Sequence, residues 1–121
     1  MRYMYLIYTS PETMAGPPPA RLMEEVGKMA AVQTNMLSGG GLQTIDQAVR
    51  ARVKGGKLTV TDGPFAESKE VMGGYAIFEH ATREEAIESM RKFMDLHVRY
   101  GEGWEGVCEM REMVDAPGGH G

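Results

Sequence analysis

Three histidines, one cysteine and one mixed-charge loop carry most of the chemically competent side chains of this chain. His97 follows Phe93 and Met94 and precedes Tyr100 at helical spacing, which puts an imidazole on the apolar stripe of a helix. A residue so placed is either a hydrogen-bonded core or rim histidine or a general acid or base, and its ordinary pKa of about 6.5 suits the second role. Asp62 opens the sequence DGPF, ending at Phe65. Its carboxylate either caps its own turn or stands as a fixed acid at the edge of a sheet. Just beyond, Glu67, Ser68, Lys69 and Glu70 pack three charges into four residues, a solvated loop or the rim of a pocket. Arg50 and Arg52 alternate with apolar residues, and a guanidinium fork binds a carboxylate or phosphate in two-pronged fashion.

Other matches fail on context. Gly101, Gly103 and Gly106 fit GxGxxG, but they follow a helix and precede a strand, the reverse of the dinucleotide-binding turn. Gly55, Gly56 and Lys57 resemble a phosphate loop, yet Leu58 stands where Ser or Thr is required. Cys108, His80, His97 and His120 are scattered singly, without zinc spacing. His80 reads as a surface residue of a strand-to-helix turn, and His120 as solvated. Asp62, Glu67 and Glu70 have no fixed ligand spacing, so neither a metal nor any cofactor is expected.

These residues need elements to hold them. Tyr3 to Thr9 reads as a buried strand and residues 10–19 as a proline-rich loop. Residues 20–37 follow helical spacing, with Ser38 to Gly41 (SGGG) as its stop. Val49, Ala51 and Val53 alternate with Arg50, Arg52 and Lys54, the pattern of a half-buried strand, and Gly55 and Gly56 turn it into a partner strand at residues 57–61. Gly74 to Glu79 is a further strand, and Tyr75 can face either side of it. Thr82 and Glu85 form a capping box that opens the helix carrying Ala86, Met90, Phe93, Met94 and His97. Residues 107–114 form the last strand, with Cys108 and Met110 inward and Glu109 and Arg111 outward. By the same parity Arg50 and Arg52 face the open side of the sheet.

The order strand, helix, hairpin, strand, helix, strand predicts an α+β ferredoxin-like split βαβ sandwich, one domain over residues 1–114, with 115–121 as a flexible tail. Two helices cover one face of a five-stranded sheet, and the other needs a ligand or a second copy. The chain has 121 residues and a net charge of −4, with 13 Lys and Arg against 17 Asp and Glu, which argues against nucleic acid. No apolar run reaches the roughly 18 residues a membrane helix needs, and mean hydropathy is −0.33. One cysteine and no leader segment lead to the expectation of a cytoplasmic protein. Of the eleven methionines, those on the helix stripes and Met110 read as core.

The block from Val60 to Glu79, VTDGPFAESKEVMGGYAIFE, resembles the defining segment of the DGPF branch of the YCII-related proteins. MRYMYLIY at the N-terminus, residues 38–42 and the stretch from Phe93 to Glu112 are similar to that family too. The resemblance implies a ferredoxin-like fold that pairs through its open sheet face into a dimeric α/β barrel with a small pocket between sheet and loops. Some relatives are lyase-like enzymes using a His and Asp pair, and DGPF members often accompany extracytoplasmic-function sigma factors. Asp62, Gly63, Pro64, Phe65, Glu67, Lys69, Gly73, Gly74 and Tyr75 fall on the family block. The enzymatic relatives carry their histidine on the first helix, whereas residues 20–37 hold none, which leaves His97 for that role. Two readings follow. The first is a homodimeric lyase or isomerase for a compact polar or anionic metabolite, with Asp62 and His97 in proton transfer, Arg50 or Arg52 as anion clamp, Tyr75 as donor and Phe65, Glu67 and Lys69 around the pocket. The second is a non-catalytic regulatory module that binds a sigma factor.

Overall fold

The computed structural model describes residues 1–33, 35–63, 65 and 70–115. Strand β1 (Arg2–Thr9) is followed by helices α1 (Pro11–Ala15) and α2 (Ala20–Val32), strand β2 (Met36–Gly41), and a single 3₁₀ turn over Ile45–Gln47. Strands β3 (Val49–Lys54), β4 (Lys57–Asp62) and β5 (Val71–Glu79), helix α3 (Arg83–Tyr100) and strand β6 (Gly106–Glu112) complete the chain. The main sheet has the order β2-β5-β1-β6, every pairing antiparallel, while β3 and β4 form a two-stranded sheet of their own. The four-stranded order with its two helical crossovers is that of a ferredoxin-like α+β fold, and the β3–β4 ribbon is inserted between its second and third strands.

The core follows from strand parity. Tyr3 and Tyr5 on β1 pair with Phe78 and Ala76 on β5, and these four side chains with Ala86 of α3 form the buried cluster. Met36, Met90, Cys108 and Met110 pack against it. Cys108 and Met110 thus face inward as their alternation predicts, and the stripe of α3 buries Ala86, Ser89 and His97. Thr82 caps α3 by accepting a hydrogen bond from the Glu85 backbone at 3.1 Å, and the Glu85 carboxylate accepts from the Ala81 N–H. Met23, expected in the core, is 52 % exposed.

Three expectations are corrected. Residues 36 and 37 continue a helical spacing, yet α2 ends at Val32 and Met36 begins a strand, because its side chain joins the core when it pairs with Phe78. The glycines after it do not stop a helix; they let two strands approach. A Cβ on Gly39 would lie 3.1 Å from the Tyr75 carbonyl oxygen, and one on Gly74 3.1 Å from that of Gly40. Ser10 and Pro11 start the short helix α1 rather than a loop: proline needs no N–H in a first turn, and the Ser10 hydroxyl accepts from the Thr13 N–H. Lastly, β3 is not half-buried in a five-stranded sheet. Val49 and Val53 are exposed, and Arg50 and Arg52 lie on the separate ribbon rather than on the open side of the main sheet.

The main sheet keeps one open face. Register places Met4, Leu6, Tyr75 and Ile77 on it, with Glu109 and Arg111 of β6 beside them, so Tyr75 faces away from the helices. Among the described residues no helix is long and apolar enough to cross a membrane.

Candidate functional site

One end of the sheet gathers the chemistry. Thr9, at the close of β1, pairs with Val71 at the start of β5 and with Gly106 at the start of β6. β5 begins there, and α3 ends there. Thr9 is buried, and its hydroxyl donates to the Glu105 carbonyl at 2.8 Å, tying β1 to the turn before β6.

His97 lies in the last turn of α3, 8 % exposed. Its ring packs on Trp104 at 4.7 Å and edge-on to Phe93 at 5.0 Å between centroids. Nδ1 is 3.1 Å from the Phe93 carbonyl oxygen. A carbonyl oxygen only accepts, so Nδ1 carries the proton, and the neutral ring presents a lone pair on Nε2. No described residue hydrogen-bonds that nitrogen. Burial pushes His97 below its ordinary pKa, against the smaller opposing pull of the Phe93 carbonyl. The result is a neutral imidazole fixed in one tautomer, which the chain can build only because glycines flank the tryptophan. A Cβ on Gly101 would collide with the His97 carbonyl and lie 2.7 Å from Trp104 Cβ, and one on Gly106 would collide with the Tyr8 carbonyl and the indole ring.

The other expected site residues are more dispersed. Asp62 is exposed at the end of β4, opposite Val49, and among the described residues no hydrogen bond or ion pair joins it to His97. Gly63 donates its N–H to the Ala48 carbonyl at 2.9 Å and sits so close to the 3₁₀ turn that a Cβ would lie 3.1 Å from the Asp46 carbonyl oxygen. Gly63 is therefore fastened at the base of the ribbon. The Arg50 guanidinium lies 3.9 Å from the centroid of the Phe65 ring, a cation–π contact at that base. Arg52 faces Thr59 across the ribbon, and Tyr75 is opposite Leu6 and Gly40 on the open sheet face. Glu67 and Lys69 lie outside the described residues. Among the described residues no group of three or more His, Cys, Asp or Glu side chains is arranged to hold a metal ion. Burial raises the Cys108 thiol to about 11, which keeps it protonated and unreactive near neutral pH. A separate apolar crevice between α2, α3 and the sheet, lined by Met29, Met36, Phe78 and Phe93, measures only about 30 Å³, too small for a metabolite.

The model of the YCII-related domain family matches residues 1–94. The chain belongs to the YCII-related domain family. No curated protein matches it. The matched stretch of this YCII-related chain contains Asp62, Phe65 and Tyr75 and ends before His97, Trp104 and β6. Two members of the site end escaped sequence reasoning. Trp104 was legible only as part of a glycine-rich turn, and Thr9 only as the last residue of a strand. His80 was misread altogether: it is 7 % exposed and sits at the opposite end of the sheet, hydrogen-bonded to Tyr5 and Asn35. The signal was present in the alternation of β5, which puts His80 on the same face as Phe78 and Ala76.

Proposed function

We propose that this YCII-related chain, of the DGPF branch, is an acid–base enzyme of lyase or isomerase type for a compact polar or anionic metabolite. The observation that carries the reading is the Nδ1–H bond to the Phe93 carbonyl, which leaves Nε2 of a neutral, desolvated imidazole as an acceptor with no described protein partner. Such a nitrogen takes a proton from substrate; the imidazolium then returns it to another atom in an isomerisation or delivers it to a leaving group in an elimination. Asp62 closes β4, and Arg50, laid over Phe65, brings positive charge suited to an anionic group. Asp62 is the proton partner of His97 in this reading, with Arg52 and Tyr75 as further polar contacts and two copies closing on the open sheet face.

The test is a panel of small carboxylates followed by thermal denaturation, with His97→Gln alongside. A ligand at about 100 times its Kd stabilises by about 2.7 kcal/mol, several degrees for a domain of this size. At least one carboxylate is expected to raise the wild-type Tm by that amount and to leave His97→Gln unmoved. A shift equal in both proteins would remove His97 from the site, and no shift across the panel would refute the anionic-metabolite reading.

A further inference from the structure

A histidine that takes and returns a proton is a cation for part of each cycle, and a buried cation needs something to stabilise it. In many proton-transfer sites a carboxylate behind the ring does so. Among the described residues His97 has none. Asp95 and Arg99 of its own helix pair with each other at 2.8 Å, and Arg21 and Glu25 of α2, the helix packed on α3, pair at 3.0 Å. Glu102 and Glu105 of the following turn are exposed, and Glu109 and Arg111 of β6 lie on the open face of the sheet, away from the helices. No charged side chain among these acts on the ring against its desolvation; the polar group that does is the Phe93 carbonyl at Nδ1.

What the ring does have is Trp104. The indole centroid is 4.7 Å from that of the imidazole, inside the roughly 6 Å within which an aromatic quadrupole attracts a cation, and tryptophan is the best of the aromatic side chains at this. The backbone that carries it is strained. Glu102 has φ of +51°, and among the described residues no other non-glycine residue lies in the left-handed region. Glutamate lacks the short polar side chain with which Asn and Asp tolerate that conformation. Gly103 follows at +85°, the Trp104 N–H donates to the Gly101 carbonyl at 3.1 Å, and the Thr9 hydroxyl holds the carbonyl of Glu105. Strain of this kind persists only where the surroundings over-determine the backbone, and what this turn determines is the place of the indole against the imidazole.

We propose that Trp104 is a positioning residue that acts through His97, its indole stabilising the positive charge the imidazole carries between taking a proton from substrate and returning it. This role rests on the reading of His97 as the proton acceptor, and it gives that base a stabilised charged form in a site without a counter-charge. Trp104 is the one tryptophan of the chain, so full-length protein grown on fluorinated tryptophan is altered at that side chain alone. Fluorine withdraws electron density from the ring face and leaves its shape nearly unchanged, so packing and burial stay as they are while the attraction for a cation falls. The proton affinity of His97 is read from its imidazole resonances between about pH 4 and 8, with His80 at the other end of the sheet as internal reference. One ring fluorine is expected to weaken that affinity about 2-fold and three or four fluorines about 5-fold, the range of a partly exposed cation–π contact, with His80 unmoved. A His97 affinity that is unchanged or raised across the series would overturn the role of the indole, and carboxylate-induced stabilisation surviving in the same protein would show that the acid–base reading still stands. The expected series in a protein that no small carboxylate stabilises would support the indole's hold on the charge and refute the anionic-metabolite reading.

Discussion

The two ends of the main sheet each bury a histidine, and they treat it in opposite ways. At one end His80 uses both ring nitrogens. Tyr5 donates its hydroxyl proton to the Ala86 carbonyl at 2.9 Å, so it must accept from His80 Nε2–H at 3.1 Å, while His80 Nδ1 accepts from the Asn35 amide at 3.3 Å. Asn35 spends its other N–H on the Glu79 carbonyl, and the Phe78 ring stacks between Tyr5 and His80. At the other end, across about 21 Å of helix from Arg83 to His97 at about 1.5 Å per residue, His97 uses one nitrogen and leaves the other. Both rings are kept below their ordinary pKa, chiefly by burial. Desolvation alone therefore does not distinguish a structural histidine from one available for proton transfer. The count of satisfied nitrogens does.

The largest expected effect breaks the satisfied end. His80→Ala removes a stacked ring and leaves the Asn35 amide short of an acceptor, and a loss of about 3 kcal/mol in urea unfolding is expected. Carboxylate-induced stabilisation should survive in this variant, since the ligand acts at the far end; its loss would show that the two ends are not independent. Next comes Gly101→Ala, which drives a methyl group into the His97 carbonyl and Trp104. An expected cost of about 2 kcal/mol should come with weakened ligand binding, because the ring that holds His97 must shift. Stability alone falling, with binding intact, would mean that Trp104 does not orient the imidazole.

Thr82→Ala sharpens the comparison from the neutral side. It removes the cap of α3 beside His80 and is expected to lower stability by about 1 kcal/mol without touching either ring. The pH dependence is the gentlest test. Burial holds both histidines below the ordinary value of about 6.5 in the folded chain, so the unfolded chain takes up protons first as pH falls. Their contribution is complete above about 6.5 and is lost as pH drops below it through the folded values. A Tm that is level above neutrality and declines from about pH 6.5 downward is expected, with part of that decline absent in His80→Ala; a Tm rising on acidification would contradict the burial of both rings.

How much of this could be read from the residues depended on whether local pattern and tertiary packing agreed. Helix α3 was legible to its cap, because Thr82 and Glu85 state the start and the stripe through His97 states the face. The inward parity of Cys108 and Met110 was equally plain. Strand β2 was not, since Met36 and Leu37 fit a helical period and glycines after a helix ordinarily end it; only pairing with Phe78 makes the strand worth forming. The ribbon misled for a related reason. Its alternation is that of a half-buried strand, and the alternation is real, but Val49, Val53, Leu58 and Val60 are all exposed on the separate ribbon. As for the site, spacing marked His97 as an inward residue, yet its tautomer depends on where the Phe93 carbonyl points, which no sequence pattern encodes.

The most direct measurement is the tautomer of each histidine, read from nitrogen shifts and couplings in histidine-labelled protein between pH 5 and 8. At neutral pH two uncharged rings are expected with opposite protonation, His97 carrying its hydrogen on Nδ1 and His80 on Nε2. A His97 found with its hydrogen on Nε2, or charged at pH 7, would contradict the account, because the lone pair on which the proposed chemistry rests would not be there.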